Sequence, residues 1–420
     1  MAFAGKRRVL IIVENLPVPF DRRVWQEART LREDGYDVSI ICPMGHGSPV
    51  GHEVLEGIHI WRHPLPYEAD GKLGYIIEYG NAFFWQTWLS FVVFCKRGFD
   101  VIHACNPPDL IFLTWLFFWP FGKKFVFDHH DLNPELFEAK FGERGSLYKG
   151  LLAVEKATFK CASMTIATNE SYKEIAIRRG GMPAHRVHIV RSGPDLRRLK
   201  RLPPDPRFLN GRKHLVGYVG VMGKQEGLDI LLRAARHIVE DLGRTDIQFH
   251  FVGGGTELEP LIAYADDLGL SDYCTFAGRV DDTALLGALN TADVCVNPDV
   301  PNALNDLSTM NKIMEYMSLG KPIVQFDLKE GRFSAREASL YAKNGDEQDF
   351  AQKILQLIDD PALRKQMGEY GRQRVETDLS WEYERPKLLK AYESIFSTRP
   401  ARAAIPLRYR LRRILTGRTT

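Results

Sequence analysis

Short, continuous apolar runs alternate with longer stretches of helical period along most of the chain. VLIIVE (9–14), VSIICP (38–43), VIHACNP (101–107), KFVFDHHD (124–131), MTIATNE (164–170) and VHIVRSG (187–193) read as strands that are apolar on both faces. Such strands suit a parallel sheet covered by helices on both sides, whereas a half-exposed strand would alternate apolar and polar residues. A polar, Pro-rich stretch intervenes. A second series follows: HLVGYVG (214–220), IQFHFVGGG (247–255), CTFAGRV (274–280), DVCVNPD (293–299), KPIVQFD (321–327) and SLYAK (339–343). The pattern predicts two doubly wound α/β domains, over 1–195 and 213–378, with a linker at 196–212. An amphipathic helix over 379–397 is expected to cross back toward the first domain. Ligands of such sheets lie beyond the carboxyl ends of the strands, so the cleft between the domains is the expected site.

Composition fits this picture. The chain has 420 residues, 45% hydrophobic and 26% charged, which is enough apolar surface for two cores and excludes disorder over most of the length. The net charge of +3 is unevenly placed: the tail 398–420 holds seven Arg and no acid. A general nucleic-acid binder would spread its basic charge over a folded face, so no nucleic-acid partner is expected. Within the tail, Leu407, Leu411, Ile414 and Leu415 fall at i, i+4, i+7 and i+8 with Arg between them. That is a basic amphipathic helix suited to anionic lipid, the other readings being a disordered tail or a nucleic-acid arm. NAFFWQTWLSFVVF (81–94) and LIFLTWLFFWPF (110–121) are too short to span a bilayer. Their Phe83, Phe84, Trp85, Trp88, Trp115, Phe117, Phe118 and Trp119, followed by Lys123 and Lys124, suit either a membrane-interface surface or two buried helices. Six scattered Cys read as reduced core thiols, no Cys/His set has zinc spacing, and no signal peptide precedes the first strand. The expected location is cytoplasmic, peripheral on the membrane's cytoplasmic face.

The sharpest chemistry lies in NALNDLSTMNKIMEYMSLGKPIVQFD (302–327). Met310, Ile313, Met314 and Met317 define one buried helix face, and Ser308, Lys312 and Glu315 another. Asp306 or Ser308 is expected to cap this helix, and Gly320 to end it. The helix follows a strand, so its free N–H groups should face the cleft, where they favour an anion. The bland reading is an ordinary amphipathic helix with a solvated Lys/Glu pair. GGGTELEPL (253–261) is a weaker phosphate candidate, equally readable as a tight turn. In PVPFDRRVWQEA (17–28), Asp21 is a candidate N-cap, and Arg22 and Arg23 in the first turn oppose the helix dipole. These three are candidates for binding an acceptor phosphate, unless the Arg residues merely pair with local acids such as Glu27.

NKIMEYMSLGKPIV resembles the donor-site helix of family-4 retaining glycosyltransferases of the GT-B fold. RVLIIVENLPVPFDRRVWQEARTLREDGYDVSIICP resembles the opening of that family's bacterial surface-polysaccharide branch. VFDHHDLNPE resembles its N-domain His-Asp turn, and LVGYVGVMGKQEGLDILLRAA its first C-domain strand-loop-helix. The similarity runs in order over residues 8 to about 396. It implies transfer of a sugar from a nucleoside diphosphate donor with retention, to a glycan or lipid-linked acceptor, with no metal and no other cofactor. It also implies catalytic roles for His130 and for Glu315, the latter on the donor ribose, and Lys312 is the expected third member of that set. Donor contacts are implied at Gly220, Gly223, Lys224, Gly278, Arg279, Val280, Asp306, Ser308, Thr309, Lys312 and Glu315.

Three positions depart from the family pattern: Val221 for Arg, Glu226 for Lys, and Leu307 for the first Glu of a pair, with Asp306 adjacent. Lys312 and Lys224 are the sequence's candidates to replace the lost cations. These departures leave a catalytically silent GT-B binding protein as the alternative to a transferase, with a nucleotide-sugar epimerase as a third reading.

Overall fold

The computed structural model describes residues 6–45, 48–64 and 71–397. The basic amphipathic helix expected in the tail lies outside them. Among the described residues the first lobe is built on eight strands: β1 (Arg8–Ile12), β2 (Asp37–Pro43), β3 (Gly51–Leu55), β4 (Ile58–His63), β5 (Val101–Cys105), β6 (Lys124–His129), β7 (Met164–Ala167) and β8 (Val187–Ile189). Their order is β3-β4-β2-β1-β5-β6-β7-β8, and every neighbouring pair except β3–β4 is parallel. Val9, Leu10, Ile11 and Ile12 are buried on both sides of β1, with Val9 opposite Val38 and Val101.

The β3–β4 hairpin was not legible in the apolar pattern. All five residues of β3 are exposed, so this edge strand has no buried face to leave a period. Its two-residue turn places Glu56 at φ 50° and Gly57 at φ 78°, the left-handed pair that matches the twist of a tight hairpin.

The second lobe carries β9 (His214–Val219), β10 (Ile247–Val252), β11 (Cys274–Phe276), β12 (Val294–Asn297), β13 (Ile323–Phe326) and β14 (Ser339–Ala342). All are parallel, in the order β11-β10-β9-β12-β13-β14. The strand order reverses between β9 and β12, and in the first lobe between β1 and β5. Loops diverge at such points and leave a crevice.

The lobes are not independent beads. The stretch read as a linker packs along the second lobe: Leu199 is buried beside Leu285, Leu289 and Val375. Helix Trp381–Ser397 lies in the first lobe's core, where Trp381, Leu388, Tyr392 and Ile395 meet Leu31, Tyr36, Val38 and Met164. The Trp381 indole N–H donates to Thr30 Oγ1 (3.0 Å). Tyr392 Oη and His103 Nδ1 lie 2.6 Å apart.

The two aromatic runs divide between core and surface. Phe118 and Val93 are buried. Phe84, Trp88, Phe91, Leu116, Phe117, Trp119 and Phe121 stand exposed, Trp119 at 57% and Phe121 at 63%. Helix α1 (Arg22–Glu33) starts at Asp21, while α2 (Gly71–Lys96) carries Phe84, Trp88 and Phe91 beside α3 (Ile111–Leu116). No helix among the described residues is long and apolar enough to cross a membrane.

Candidate functional site

On the second lobe, the carboxyl ends of β9 and β10 touch through their backbones. A Cβ on Gly253 (φ 138°) would stand 1.8 Å from the Gly220 carbonyl oxygen, so only glycine allows the approach. Gly253 N–H donates to the Gly278 carbonyl (2.8 Å), and Arg279 and Val280 follow exposed at that edge. Gly223 opens the short turn Lys224–Glu226, which leaves Lys224 exposed.

The helix expected to begin at Asp306 or Ser308 is two helices. Asn302 Oδ1 accepts from the N–H groups of Leu304 and Asn305 and caps Ala303–Leu307. The chain then breaks, and helix Asn311–Ser318 begins after Met310, which gives it no side-chain cap. Its first N–H groups are therefore without a side-chain acceptor of their own, the condition that suits an anion. Ser308 lies outside this helix and does not share a face with Lys312 and Glu315 as expected. Its Oγ is 2.9 Å from Tyr172 Oη, and Thr309 Oγ1 accepts from Asn169 Nδ2 (3.0 Å). Both partners belong to the first lobe, so the helix start faces across the cleft. Asp306 Oδ1 accepts from the Lys329 N–H (2.9 Å), and the neighbouring Leu307 packs against the first lobe. Asp306 is thus turned away from the part a shifted Glu would play.

Lys312 is not the available cation that the sequence suggested. Its Nζ lies 2.7 Å from Glu226 and 2.9 Å from Asp299, with the Tyr218 ring beneath, and the side chain is 9% exposed. Burial opposes its charge, but Asp299 and Glu226 outweigh burial and hold the ammonium well above its ordinary pKa. Asp299 is pushed up to about 7 by burial despite Lys312. Glu226 remains below the usual carboxylate range, because Lys312 overcomes its burial. Glu226 is thus a counter-ion of Lys312, and Val221 presents no charge.

The two arginines of α1, both expected to meet an acceptor phosphate, have different surroundings: Arg22 is exposed and Arg23 is buried away from any such ligand. Asp21 caps the helix, accepting from Val24 N–H (3.0 Å). Arg23 is buried. It donates to Asp128 Oδ1 (2.8 Å), the Val190 carbonyl (2.9 Å) and His130 Nε2 (2.9 Å), and pairs with Glu27. The pairing with Glu27, given as the other reading of these arginines, is present for Arg23, and it is buried. Arg22 reaches across the cleft to Glu315 Oε1 (2.8 Å) and Asp282 Oδ1 (3.0 Å). Arg198 lies in the stretch read as a linker, and sequence reasoning missed it. It meets the same two atoms, each at 2.8 Å.

His130 follows the carboxyl end of β6. Its backbone N–H donates to Asn106 Oδ1 (2.6 Å), and its Nε2 lies 2.5 Å from Asp128 Oδ2. Asp128 also faces His103 Nε2 at 3.2 Å. Burial would raise the Asp128 pKa, but Arg23 and His130 pull it well below the ordinary value. Glu27, Asp128 and His130 lie close enough to share an ion, yet the Arg23 guanidinium already sits among them.

Comparison with known proteins agrees with both lobes. The family described as Glycosyltransferase Family 4 matches residues 21–198, and that described as Glycosyl transferases group 1 matches 213–360. The chain spans about half the length of several curated relatives it matches, 41% to 63% of them, and 79% of two others. One is the capsular polysaccharide biosynthesis glycosyltransferase CapM of Staphylococcus aureus, 25% identical over 56% of this chain and 63% of its own. Among solved structures, sucrose-phosphate synthase of Thermosynechococcus elongatus superposes with a TM-score of 0.75 at 20% identity, covering 94% of this chain and 100% of that one. Anabaena HepE, solved with UDP and glucose, gives 0.69 at 15% identity over 92% and 99%. The chain therefore belongs to the family-4 glycosyltransferases, with the GT-B fold of two facing Rossmann-like lobes.

Proposed function

We propose that this glycosyltransferase moves a hexose from a nucleoside diphosphate sugar to a lipid-linked glycan acceptor, with retention, during surface-polysaccharide assembly. The observation that carries this reading is the helix Asn311–Ser318, whose start has no side-chain cap and faces the opposite lobe. Amide groups aimed at one point stabilise charge as it develops on a departing diphosphate. Glu315, one turn along, is suited to accept hydrogen bonds from ribose hydroxyls. The UDP held by HepE and the capsular role of CapM support a nucleotide donor and a glycan product. In this reading helix amides and arginines meet the phosphate charge, and no metal is required. Purified protein is expected to release nucleoside diphosphate from a UDP- or GDP-hexose. Glu315→Ala is expected to lower that turnover by about tenfold or more, through loss of a hydrogen bond made by a charged group. Val221, Glu226 and Leu307 favour a second reading, a GT-B protein that binds without catalysis. Tight donor binding with no diphosphate release by the wild type would decide for it.

We further propose peripheral contact with the cytoplasmic membrane face through the exposed aromatics of α2, α3 and the segment after them. Phe117, Trp119 and Phe121 are exposed just before Lys123 in the chain, whose ammonium stands 5.6 Å from the centre of the Phe94 ring and 3.7 Å from Asp100. Trp and Phe at headgroup depth with Lys beside them suit anionic lipid. Replacing Phe117, Trp119 and Phe121 together by Ser is expected to lower partition onto phosphatidylglycerol-containing vesicles by about tenfold or more, since each aromatic ring buried is worth roughly 1.5 to 3 kcal/mol. Unchanged co-sedimentation of the triple variant would remove this face from consideration.

A further inference from the structure

A diphosphate at the start of helix Asn311–Ser318 carries at least two negative charges, and the lysine in that helix's first turn is not available to meet them. Lys312 is neutralised by Glu226 and Asp299, and Val221 is apolar. If both acids are ionised that trio is a net anion, which would repel a phosphate at close range. Yet the cleft holds two guanidinium groups on a single pair of carboxylate oxygens. Arg22 and Arg198 both donate to Glu315 Oε1 and Asp282 Oδ1, through four contacts of 2.8–3.0 Å. Each guanidinium has five N–H donors in a planar fork, so each keeps donors beyond these two bonds. Glu315 follows Asn311 by four residues, about 6 Å along the helix axis. A guanidinium parked on Glu315 is therefore within one side-chain swing of the helix start.

We infer that Arg22 and Arg198 are the cations that hold the donor diphosphate, and that a ribose occupying Glu315 frees them to do so. This rests on the donor reading above and names the residues that complete it. Arg22 comes from the first lobe and Arg198 from the stretch between the lobes. Positive charge is thus delivered across the cleft to join the exposed Lys224 and Arg279 of the second lobe, and the set is complete only when the lobes face each other. The substitutions at 221 and 226 then mark a relocation of the phosphate cations and not the loss of the site.

The test separates the diphosphate from the nucleoside. Affinities for UDP and uridine, and for GDP and guanosine, are measured on the full chain and on Arg22→Gln, Arg198→Gln and the double variant. For the base that the wild type accepts, the ratio of diphosphate to nucleoside affinity is expected to fall about tenfold or more in each single variant, as hydrogen bonds to a charged group are lost. It should fall further in the double variant, while nucleoside affinity holds or rises, because the ribose no longer competes with a guanidinium for Glu315. Arg198→Lys should restore part of the ratio. If the two arginines only clamp the lobes together, nucleoside and diphosphate will weaken equally and the ratio will not move, which overturns the inference. A wild type that binds neither UDP nor GDP would overturn the donor reading itself and this inference with it. A wild type that binds one of them with a ratio indifferent to both arginines would overturn this inference alone.

Discussion

Arg23→Met is expected to destabilise the protein by about 3–5 kcal/mol, the usual cost of removing one partner from a buried ion pair. Methionine keeps the bulk and removes the charge. Asp128 and Glu27, both fully buried, would lose the cation between them. The Val190 carbonyl and His130 Nε2 would lose a donor as well. Arg23→Lys should fall between wild type and Arg23→Met, because an ammonium restores the charge but not the planar fork that reaches five groups at once, Ser192 Oγ among them at 3.3 Å. Denaturant unfolding of the three proteins checks this. Equal midpoints for wild type and Arg23→Met would mean that the carboxylates of this cluster are not held by the arginine.

Lys312→Met is expected to cost a similar amount, about 3–5 kcal/mol at neutral pH, for the same reason. Glu226 and Asp299 would face each other without their counter-ion. The loss should depend on pH in one direction. Two adjacent buried acids without a cation hold protons more tightly than the unfolded chain does, so their folded pKa values lie above the unfolded ones. The raised pair favours folding only while protonated, and that contribution is lost as pH rises through the folded values. Asp299 already stands at about 7 with Lys312 beside it. The variant should therefore approach wild-type stability near pH 5 and fall furthest below it near pH 8. Adding Glu226→Gln and Asp299→Asn to Lys312→Met should recover much of the loss and flatten the profile. A gap between wild type and Lys312→Met that is constant across pH would show that the acids are not coupled to the lysine.

The strands that build both sheets were legible because each is apolar on both faces. β1 and β12 can be read almost to their ends from unbroken Val, Ile, Leu and Cys runs, and β5 and β9 from runs broken only by His103 and Ala104 or by Gly217 and Tyr218. β3 was not legible, since its five exposed residues carry no such mark. Within the site, Glu315 and the end of its helix at Gly320 could be placed from local spacing, but the start could not. Asp306, Ser308 and Met310 all stand near a possible N-terminus, and the choice among them was made by Asn169 and Tyr172, more than a hundred residues away. The environments of Arg23, Arg198 and Lys312 were hidden for the same reason. An arginine's type announces a charge, but its partner is set by how two sheets and a connecting segment converge. Arg198 pairs with Asp282 and Glu315, 84 and 117 residues further on, and nothing in its own neighbourhood points there.

Helix Trp381–Ser397 completes the core of a lobe whose strands begin at Arg8. A chain leaving the ribosome from its N-terminus must therefore finish the second lobe while the first still lacks Trp381, Tyr392 and Ile395. Its earliest strands wait for some of its last residues, with the apolar faces of Leu31 and Tyr36 uncovered in the interval. Nascent chains arrested between the two lobes would be the species on which chaperones act.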